Sequence, residues 1–405
     1  MDRARPAAPR RPDHRALRYR CARNADTCPI LLAGATLWAL AIPSAHSAEV
    51  SEVAAVDGAN LQRPSWSPDG ARLSYEANHH ARRTIELYIG VPESRTFRRL
   101  KGARRSTNAI TAGFVSASPA TQVVQELSWG PGHGDGYVFS ASPDAKDFDL
   151  YLDGGGALAP FPGADGGPRW SPDGSKLVFT SARTGGGDLY LLEADAMEAD
   201  PRRLTTTAGS SELFPDWSSD GTRLVYVAHS DTGDHVWLLD DLDGAPRQLT
   251  NEAGSQVRPR FSPDGSQVAY YATAPTGAEP TEPDEVSERW SLMVRSLDSD
   301  TPTRLLEDVK PDLAGPAWAP TGNHLLAVRR APEALDPISW IPVTPEPDPE
   351  PVDLDLGTVN HGDLAVVPSG DRLRLAFVSQ GRTSDAIRAF KRLFIADIPV
   401  APTPE

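Results

Sequence analysis

Six charged residues stand beside a phrase that returns along the sequence, an aromatic residue followed by Ser-Pro-Asp-Gly or a variant of it. They are Arg63, Glu126, Arg169, Asp216, Arg258 and Arg260. Arginine binds a carboxylate through a planar fork of N–H donors. Four arginines gathered at one place would therefore suit a peptide or other ligand that carries a carboxylate. The alternative is that they pair with acidic side chains of the chain itself, and the sequence leaves both open.

The phrase marks a repeat. It is WSPDG at Trp66 and Trp170, WSSDG at Trp217, FSPDG at Phe261 and WAPTG at Trp318, with weaker copies that begin at Trp129 and Val366. Successive copies begin 41 to 63 residues apart. Self-similarity at such a period indicates a repeat architecture built from one small unit. Tryptophan occupies the aromatic position in five copies, and we expect these rings to pack between sheets.

Each copy predicts four short strands. In the best-preserved copy, residues 167–205, a short first strand leads up to Trp170, and three further β-prone segments lie at 176–180, 189–192 and 203–205. Gly, Pro and Asp lie between them. These turn residues favour tight connections, and four antiparallel strands so joined form one propeller blade. We therefore expect an all-β fold, a single β-propeller of seven four-stranded blades. Six and eight blades are the alternatives, because two copies are weak.

The charged residues and the chain ends follow from this architecture. The innermost strand of each blade lines the central channel, which would place all six charged residues at the channel mouth. Residues 50–66 align with 245–261, so the chain has an outermost strand before its first complete copy. The last copy stops after a third-strand pattern at 393–397. We expect the N-terminal strand to complete the last blade, close the ring and remove exposed sheet edges.

The N-terminal segment has the pattern of an export signal. Residues 30–42 are apolar and uncharged, arginines precede them, and small residues follow at 45–48. The apolar run is too short for an ordinary membrane span. We expect residues 1–47 to be a signal peptide with its n-region and residues 48–405 to be the propeller. The mature chain would then be periplasmic or extracellular, without a transmembrane span.

Charge and cysteine content limit the classes of function that the chain can have. The net charge is −15, and residues 1–47 contain eight arginines and three aspartates, so their removal makes it more negative by five. Such a surface repels phosphate backbones, which argues against a nucleic-acid partner. Cys21 and Cys28 both lie in the segment expected to be removed, so we predict neither disulfides nor thiolate chemistry. We expect a monomer.

No catalytic motif stands out. The sequence has no Gly-x-Ser-x-Gly elbow, His-Glu-x-x-His or Walker loop, and we predict no catalytic residue, metal site or cofactor. His229 and His235 flank a hairpin that contains Asp231 and Asp234, a set that could ligate a cation. An ordinary polar hairpin is the interpretation that we favour. Two acidic, proline-rich stretches, 274–288 and 344–355, are expected to be solvated loops that pack little.

The repeat resembles the TolB-type propeller family over about residues 50–400. The resemblance rests on WSPDG, on SARTGGGDLY at 181–190 and on Arg-Leu-Thr at 203–205. It implies a propeller that works in the periplasm with an outer-membrane lipoprotein. Only residues 48–65 separate the predicted leader from the first copy, so we expect the family's N-terminal α/β domain to be lacking.

Two classes of function remain. The first is a binding module that presents a rigid repeat to a protein or peptide in the cell envelope, with the ligand at the channel mouth. The second is an enzyme, because the repeat is also similar to the propellers of prolyl-oligopeptidase-like peptidases and of oligogalacturonate lyases. The lyase resemblance implies a metal held by histidines in the channel. Convergence of several histidines and carboxylates at one channel mouth would favour this alternative, a metal-dependent polysaccharide lyase.

Overall fold

The computed structural model describes most of the chain after the predicted leader. The described residues are 48–100, 103–105, 114–116, 123–131, 136–142, 148–153, 157–158, 163–207, 209–231, 233–273, 289–331, 335–382 and 389–402. They form strands, turns and bends without a helix. It follows that no apolar helix of membrane-spanning length occurs among them. The predicted leader, 1–47, and the acidic stretch 274–288 lie outside the described residues.

The strands follow the repeat in chain order. The first half of the chain contains β1 (Val50–Ala54), β2 (Asn60–Trp66), β3 (Leu73–His79), β4 (Thr84–Val91), β5 (Thr96–Arg99), β6 (Ala103–Arg105), β7 (Phe114–Ser116), β8 (Val123–Trp129), β9 (Tyr137–Ser142), β10 (Asp149–Leu152), β11 (Ala157–Leu158), β12 (Asp165–Trp170), β13 (Lys176–Ser181), β14 (Asp188–Glu193) and β15 (Arg202–Arg203). The second half contains β16 (Ser211–Trp217), β17 (Leu224–Ser230), β18 (Gly233–Leu239), β19 (Arg247–Gln248), β20 (Gln256–Phe261), β21 (Gln267–Thr273), β22 (Trp290–Ser296), β23 (Thr303–Lys310), β24 (Ala317–Trp318), β25 (His324–Arg329), β26 (Ile338–Pro342), β27 (Val352–Asp353), β28 (Thr358–Val359), β29 (Leu364–Ser369), β30 (Arg372–Ser379), β31 (Gly381–Arg382) and β32 (Arg392–Pro399).

Consecutive strands pair into antiparallel sheets. Four sheets have four strands in chain order, β2–β5, β8–β11, β12–β15 and β16–β19. Two further repeats, β20–β23 and β24–β27, join in one eight-stranded sheet through β23 and β25. The all-β fold class predicted from the repeat is confirmed. The number of blades and the closure of the ring stay predictions.

Apolar clusters lie between successive sheets. In one of them, Val178 and Leu191 of the β12–β15 sheet pack with Trp217 and Tyr226 of the next sheet. The corresponding cluster one repeat later contains Phe261 at the aromatic position of the phrase. Because each sheet is apolar on both faces, every repeat needs a neighbour on each side to bury its surface.

The aromatic position of the phrase also ties neighbouring repeats by hydrogen bonds. The indole Nε1–H of Trp129 donates to the Ser65 carbonyl at 3.2 Å, and that of Trp217 donates to the Arg169 carbonyl at 3.1 Å. Trp318 bonds to the Arg260 carbonyl in the same way at 3.2 Å. Each acceptor is the residue just before the aromatic residue of the preceding copy. The tryptophans are structural, as we expected.

Ser-x-Asp-Gly is a self-contained turn. At the copy after Trp170, the Ser171 hydroxyl donates to Asp173 Oδ1 at 2.6 Å and accepts the Lys176 N–H at 2.9 Å. Asp173 Oδ1 also accepts the Ser175 N–H at 3.0 Å, and these bonds, led by that from Ser171, lower the pKa of Asp173. Gly174 has φ 72°, which glycine adopts without strain. The phrase therefore builds the fold rather than a ligand site.

The first and last strands of the described chain pair with each other. β1 lies antiparallel to β32, with Val50 opposite Ala396 and Glu52 opposite Phe394, in the sheet β1-β32-β30-β29. Val53 is buried in a cluster that contains residues of this sheet and of the β2–β5 sheet. β1 thus supplies the outermost strand that the last repeat lacks.

The acidic stretch 344–355 is anchored by an arginine. The carboxylate of Asp348 accepts two hydrogen bonds from Arg304, at 2.9 and 2.7 Å, and Val352–Asp353 forms β27 against β26. No residue of this stretch is buried, which agrees with the expectation that it is solvated and packs little. Its acidic side chains include fixed partners of neighbouring arginines.

Candidate functional site

Five inner strands carry the same irregularity where the phrase begins. β2, β8, β12, β16 and β20 each contain one residue more than the partner strand, which is a β-bulge. In four of them the bulge is an x-Pro pair: Arg63-Pro64, Gly167-Pro168, Phe214-Pro215 and Arg258-Pro259. Proline has no N–H, so it suits a position where the ladder hydrogen bond is lost.

The first residue of each bulge is left-handed. The third residue before the aromatic position has positive φ in six copies: Arg63 48°, Glu126 58°, Gly167 59°, Phe214 55°, Arg258 57° and Gly315 99°. Only two of these are glycine. A non-glycine residue in this region costs about 1–3 kcal/mol, and such strain is concentrated at functional sites. Four side chains therefore stand at strained backbone positions on neighbouring inner strands.

Carboxylates from neighbouring repeats hold the bulges. Asp363 Oδ2 accepts the Arg63 N–H at 2.8 Å, and Glu76 Oε1 accepts the Glu126 N–H at 2.9 Å. Glu126 Oε2 accepts the Gly167 N–H at 2.7 Å. A bulge leaves an N–H without its strand partner, and leaving it unbonded inside the protein would cost about 1–3 kcal/mol. These three carboxylates satisfy those groups and join adjacent inner strands.

All six charged residues predicted from the sequence line one cavity. It has a volume of about 520 Å³, and we call it the arginine cavity. Its wall includes Arg63, Glu126, Arg169, Asp216, Arg258 and Arg260. Apolar side chains complete it, among them Trp66, Phe214, Leu313 and Val366. That these residues bind a ligand stays a prediction.

Two of the four arginines are paired within the chain. Arg63 Nη1 lies 3.0 Å from Glu76 Oε1 and 3.7 Å from Glu126 Oε1. Arg260 Nη1 lies 2.5 Å from Asp216 Oδ1, and its Nε donates to the Ala314 carbonyl at 2.7 Å. For these two, the alternative of internal pairing is correct. Their positive charges are compensated before any ligand arrives.

The other two arginines have no carboxylate partner among the described residues. Arg169 donates from Nη1 to the Pro168 carbonyl at 3.1 Å and forms no ion pair within that part of the chain. The Arg258 guanidinium lies over the Phe214 ring, with Cζ 3.6 Å from the ring centroid. A cation over an aromatic face is stabilised, while its in-plane N–H groups stay available to an acceptor.

Burial makes these two charges costly. Burial, followed by the positive charge of Arg260, lowers the pKa of Arg169 to about 9. Burial, followed by the charge of Arg63, lowers the pKa of Arg258 to about 10. Both guanidinium groups are still protonated at neutral pH. A lowered pKa means that the charged form is under-stabilised, so a bound anion would recover free energy at both positions.

Phe214 belongs to the cavity, and sequence reasoning missed it. The residues predicted from the sequence were charged, whereas Phe214 lines the cavity with an aromatic ring. Its position would have shown it, because Phe214 stands three residues before Trp217, just as Arg63 stands before Trp66 and Arg258 before Phe261.

Asp312 and Asp363 form a second pair that the sequence did not single out. Asp312 accepts the N–H groups of Ala314 and Leu364, both at 2.7 Å, and Asp363 accepts those of Leu313 and Arg63. Burial, followed by the negative charge of Asp363, raises the pKa of Asp312 above its usual range. These carboxylates connect three repeats near the cavity. Their oxygens are occupied by backbone donors, so their role is to hold the strands.

Histidine placement does not suit a metal in the arginine cavity. None of the residues that line it is a histidine, and its carboxylates, Glu126 and Asp216, already accept backbone N–H groups. In the hairpin of β17 and β18, His229 contacts Asp234, and His235 Nδ1 lies 2.7 Å from Gln256 Oε1. Within the described residues, no three His, Cys, Asp or Glu side chains are grouped as metal ligands would be.

Comparison with protein families supports the repeat assignment. Residues 148–326 match the family model described as TolB beta propeller domain. This part of the chain is similar to the TolB-type propeller repeat. The match covers the copies at Trp170, Trp217, Phe261 and Trp318, so the resemblance predicted from the repeat is confirmed there. No curated protein matches the chain.

Solved structures share the fold at low sequence identity. TolB from Acinetobacter baumannii aligns with TM-score 0.45 at 14% identity, over 84% of this chain and 63% of that chain. This chain therefore spans less than two thirds of that TolB. An oligogalacturonate lyase in complex with manganese aligns with TM-score 0.53 at 12% identity, over 88% and 94%. A puromycin-hydrolyzing peptidase from Mycobacterium tuberculosis aligns with TM-score 0.54 at 16% identity, over 80% and 49%.

Proposed function

We propose that this TolB-like propeller is an exported binding module that holds a carboxylate of a protein or peptide partner in the arginine cavity. The observation that carries the proposal is the contrast between the arginines. Arg63 and Arg260 have carboxylate partners in the chain, whereas Arg169 and Arg258 have none among the described residues. Both are half-buried in the wall of a cavity large enough for a ligand.

The physical reason is that a buried, unpaired charge is expensive. Removing a guanidinium from water costs several kcal/mol unless an anion and hydrogen bonds compensate it. A ligand carboxylate supplies both in one planar contact. The contact with Phe214 holds the Arg258 guanidinium over the ring in advance, so less conformational entropy is lost on binding.

The leader pattern at residues 1–47 supports the proposed location. We propose a periplasmic or extracellular protein, a monomer whose propeller occupies residues 48–405 and whose partner is a protein or peptide of the cell envelope. The rest of the chain is strongly acidic. The arginine cavity is thus a local reversal of charge, which favours an anionic group there over other positions on the surface.

The enzymatic alternative has weaker support. The likeness to an oligogalacturonate lyase is a likeness of fold, and fold alone does not determine activity. The wall of the arginine cavity offers guanidinium groups where that alternative needs imidazoles. Incubation with divalent metals and polygalacturonate, followed by absorbance of unsaturated products, tests it directly.

Affinity capture tests the proposed function. The purified protein is immobilised and exposed to a cell-envelope extract, beside the double variant Arg169→Gln/Arg258→Gln and the control Arg247→Gln. Arg247 is an exposed arginine that pairs with Asp240 at 2.7 Å, away from the cavity wall. We expect a partner that is retained by the wild type and by the control and lost from the double variant. Equal retention by all three would contradict the proposed site, and absence of any partner would contradict the binding module.

A further inference from the structure

We infer that the arginine cavity takes two carboxylates of one peptide, one at Arg169 and one at Arg258. The inference rests on the function proposed above and names the class of ligand, an acidic peptide segment. Two arginines of the cavity wall, Arg169 and Arg258, have no carboxylate partner among the described residues.

The two arginines stand on different strands and at different positions of the bulge. Arg258 is the left-handed first residue of the bulge in β20. Arg169 follows the bulge proline Pro168 in β12, and β16 is the inner strand of the repeat between them. Two guanidinium groups that start from such different backbone positions favour two separate contacts over one shared carboxylate.

The acidic residues of the wall stabilise these charges only at a distance and form no ion pair with either arginine. Asp216 accepts from Arg260 and from the Phe261 N–H at 3.0 Å, and Glu126 accepts the Gly167 N–H and lies near Arg63. A ligand with one carboxylate would therefore leave one arginine unpaired. The ligand would also displace water from the cavity, which raises the cost of that remaining charge.

The apolar part of the wall indicates what joins the two carboxylates. Phe214, Leu313 and Val366 line the same cavity as the arginines. A peptide offers carboxylates separated by aliphatic and backbone groups, which suit such a wall better than a compact inorganic anion does. A peptide that ends in, or close to, an acidic residue combines an α-carboxylate with a side-chain carboxylate.

A peptide series measures the second carboxylate. Labelled pentapeptides with a free C-terminus carry Glu or Gln at the last, second-last or third-last position, and binding is followed by fluorescence anisotropy. At one of these positions, we expect the peptide with Glu to bind at least tenfold more tightly than the peptide with Gln. C-terminal amidation should weaken binding as well. Arg169→Gln and Arg258→Gln should each lose one of the two preferences and keep the other, and Arg247→Gln should keep both.

The outcomes separate the inference from the proposed function. If free carboxylate peptides bind but Glu is no better than Gln at all three positions, the two-carboxylate inference is overturned and the proposed function stands. If no peptide of the series binds to the wild type although affinity capture retains a partner, the inference is also overturned. Tighter binding of succinate or digalacturonate than of the peptides would overturn the assignment to a peptide.

Discussion

Arg63 and Arg169 line the same cavity, yet their charges have opposite consequences for stability. Arg63 compensates the carboxylate of Glu76, which is 1% exposed, so the pair is part of the fold. Arg169 has no carboxylate partner among the described residues, and burial lowers its pKa. An uncompensated charge destabilises the folded state, and such costs are retained at sites selected for binding.

This difference predicts opposite effects of one substitution. Arg63→Gln leaves the Glu76 carboxylate buried without its ion pair and should lower the free energy of unfolding by about 3 kcal/mol. Arg169→Gln removes a costly charge and should leave the free energy of unfolding unchanged or raise it. Urea denaturation of both variants beside the wild type measures the two values. Comparable destabilisation by both would show that Arg169 is a structural residue.

Among the strands, β1 and β32 join the two ends of the described chain. β1 pairs with β32 and buries Val53. Glu52 forms an ion pair with Arg392 at 2.8 Å, and Arg382 donates a hydrogen bond to the Val50 carbonyl at 2.8 Å. Without β1, the edge of β32 and the apolar surface under Val53 would face water, and an open edge favours association.

Deletion of residues 49–57 should therefore lower the melting temperature and produce aggregates. The lost burial of Val53 alone is worth about 1.5–3 kcal/mol. The matched control Glu52→Gln removes only a partly exposed ion pair and should cost less than about 1 kcal/mol. Circular dichroism melting and size-exclusion chromatography measure both effects. An unchanged melting temperature in the deletion would contradict closure of the ring by β1.

In the molecule as a whole, the repeat made most of the fold predictable. The aromatic phrase predicted the strand pattern, the structural role of the tryptophans and the set of charged residues that meets at the arginine cavity. It also predicted that the first strand would complete the last sheet. These features depend on residues within one copy or on the equivalence of the copies. One sequence is therefore enough to predict them.

The sequence could not predict which arginine of the cavity has an acidic or aromatic partner in the chain. Arg63 pairs with Glu76 on β3, and Arg258 contacts the Phe214 ring of the neighbouring repeat. Both contacts depend on the left-handed bulges. Proline marks four of the five bulges, but the type of the left-handed first residue is not fixed, since arginine, glutamate, phenylalanine and glycine all occupy the position. The hydrogen bonds of Asp312 and Asp363 to distant backbone N–H groups also join different repeats, so the sequence did not indicate them.

One titration tests the central claim most directly: the affinity of a free-carboxylate peptide and of its C-terminal amide for the wild type and for Arg169→Gln/Arg258→Gln, by isothermal calorimetry. The peptide is the tightest member of a random pentapeptide library selected on the wild type. If the cavity holds a carboxylate, amidation should weaken binding to the wild type at least tenfold and make no difference to the double variant. An equal effect of amidation on both proteins would contradict the account and place the ligand outside the arginine cavity.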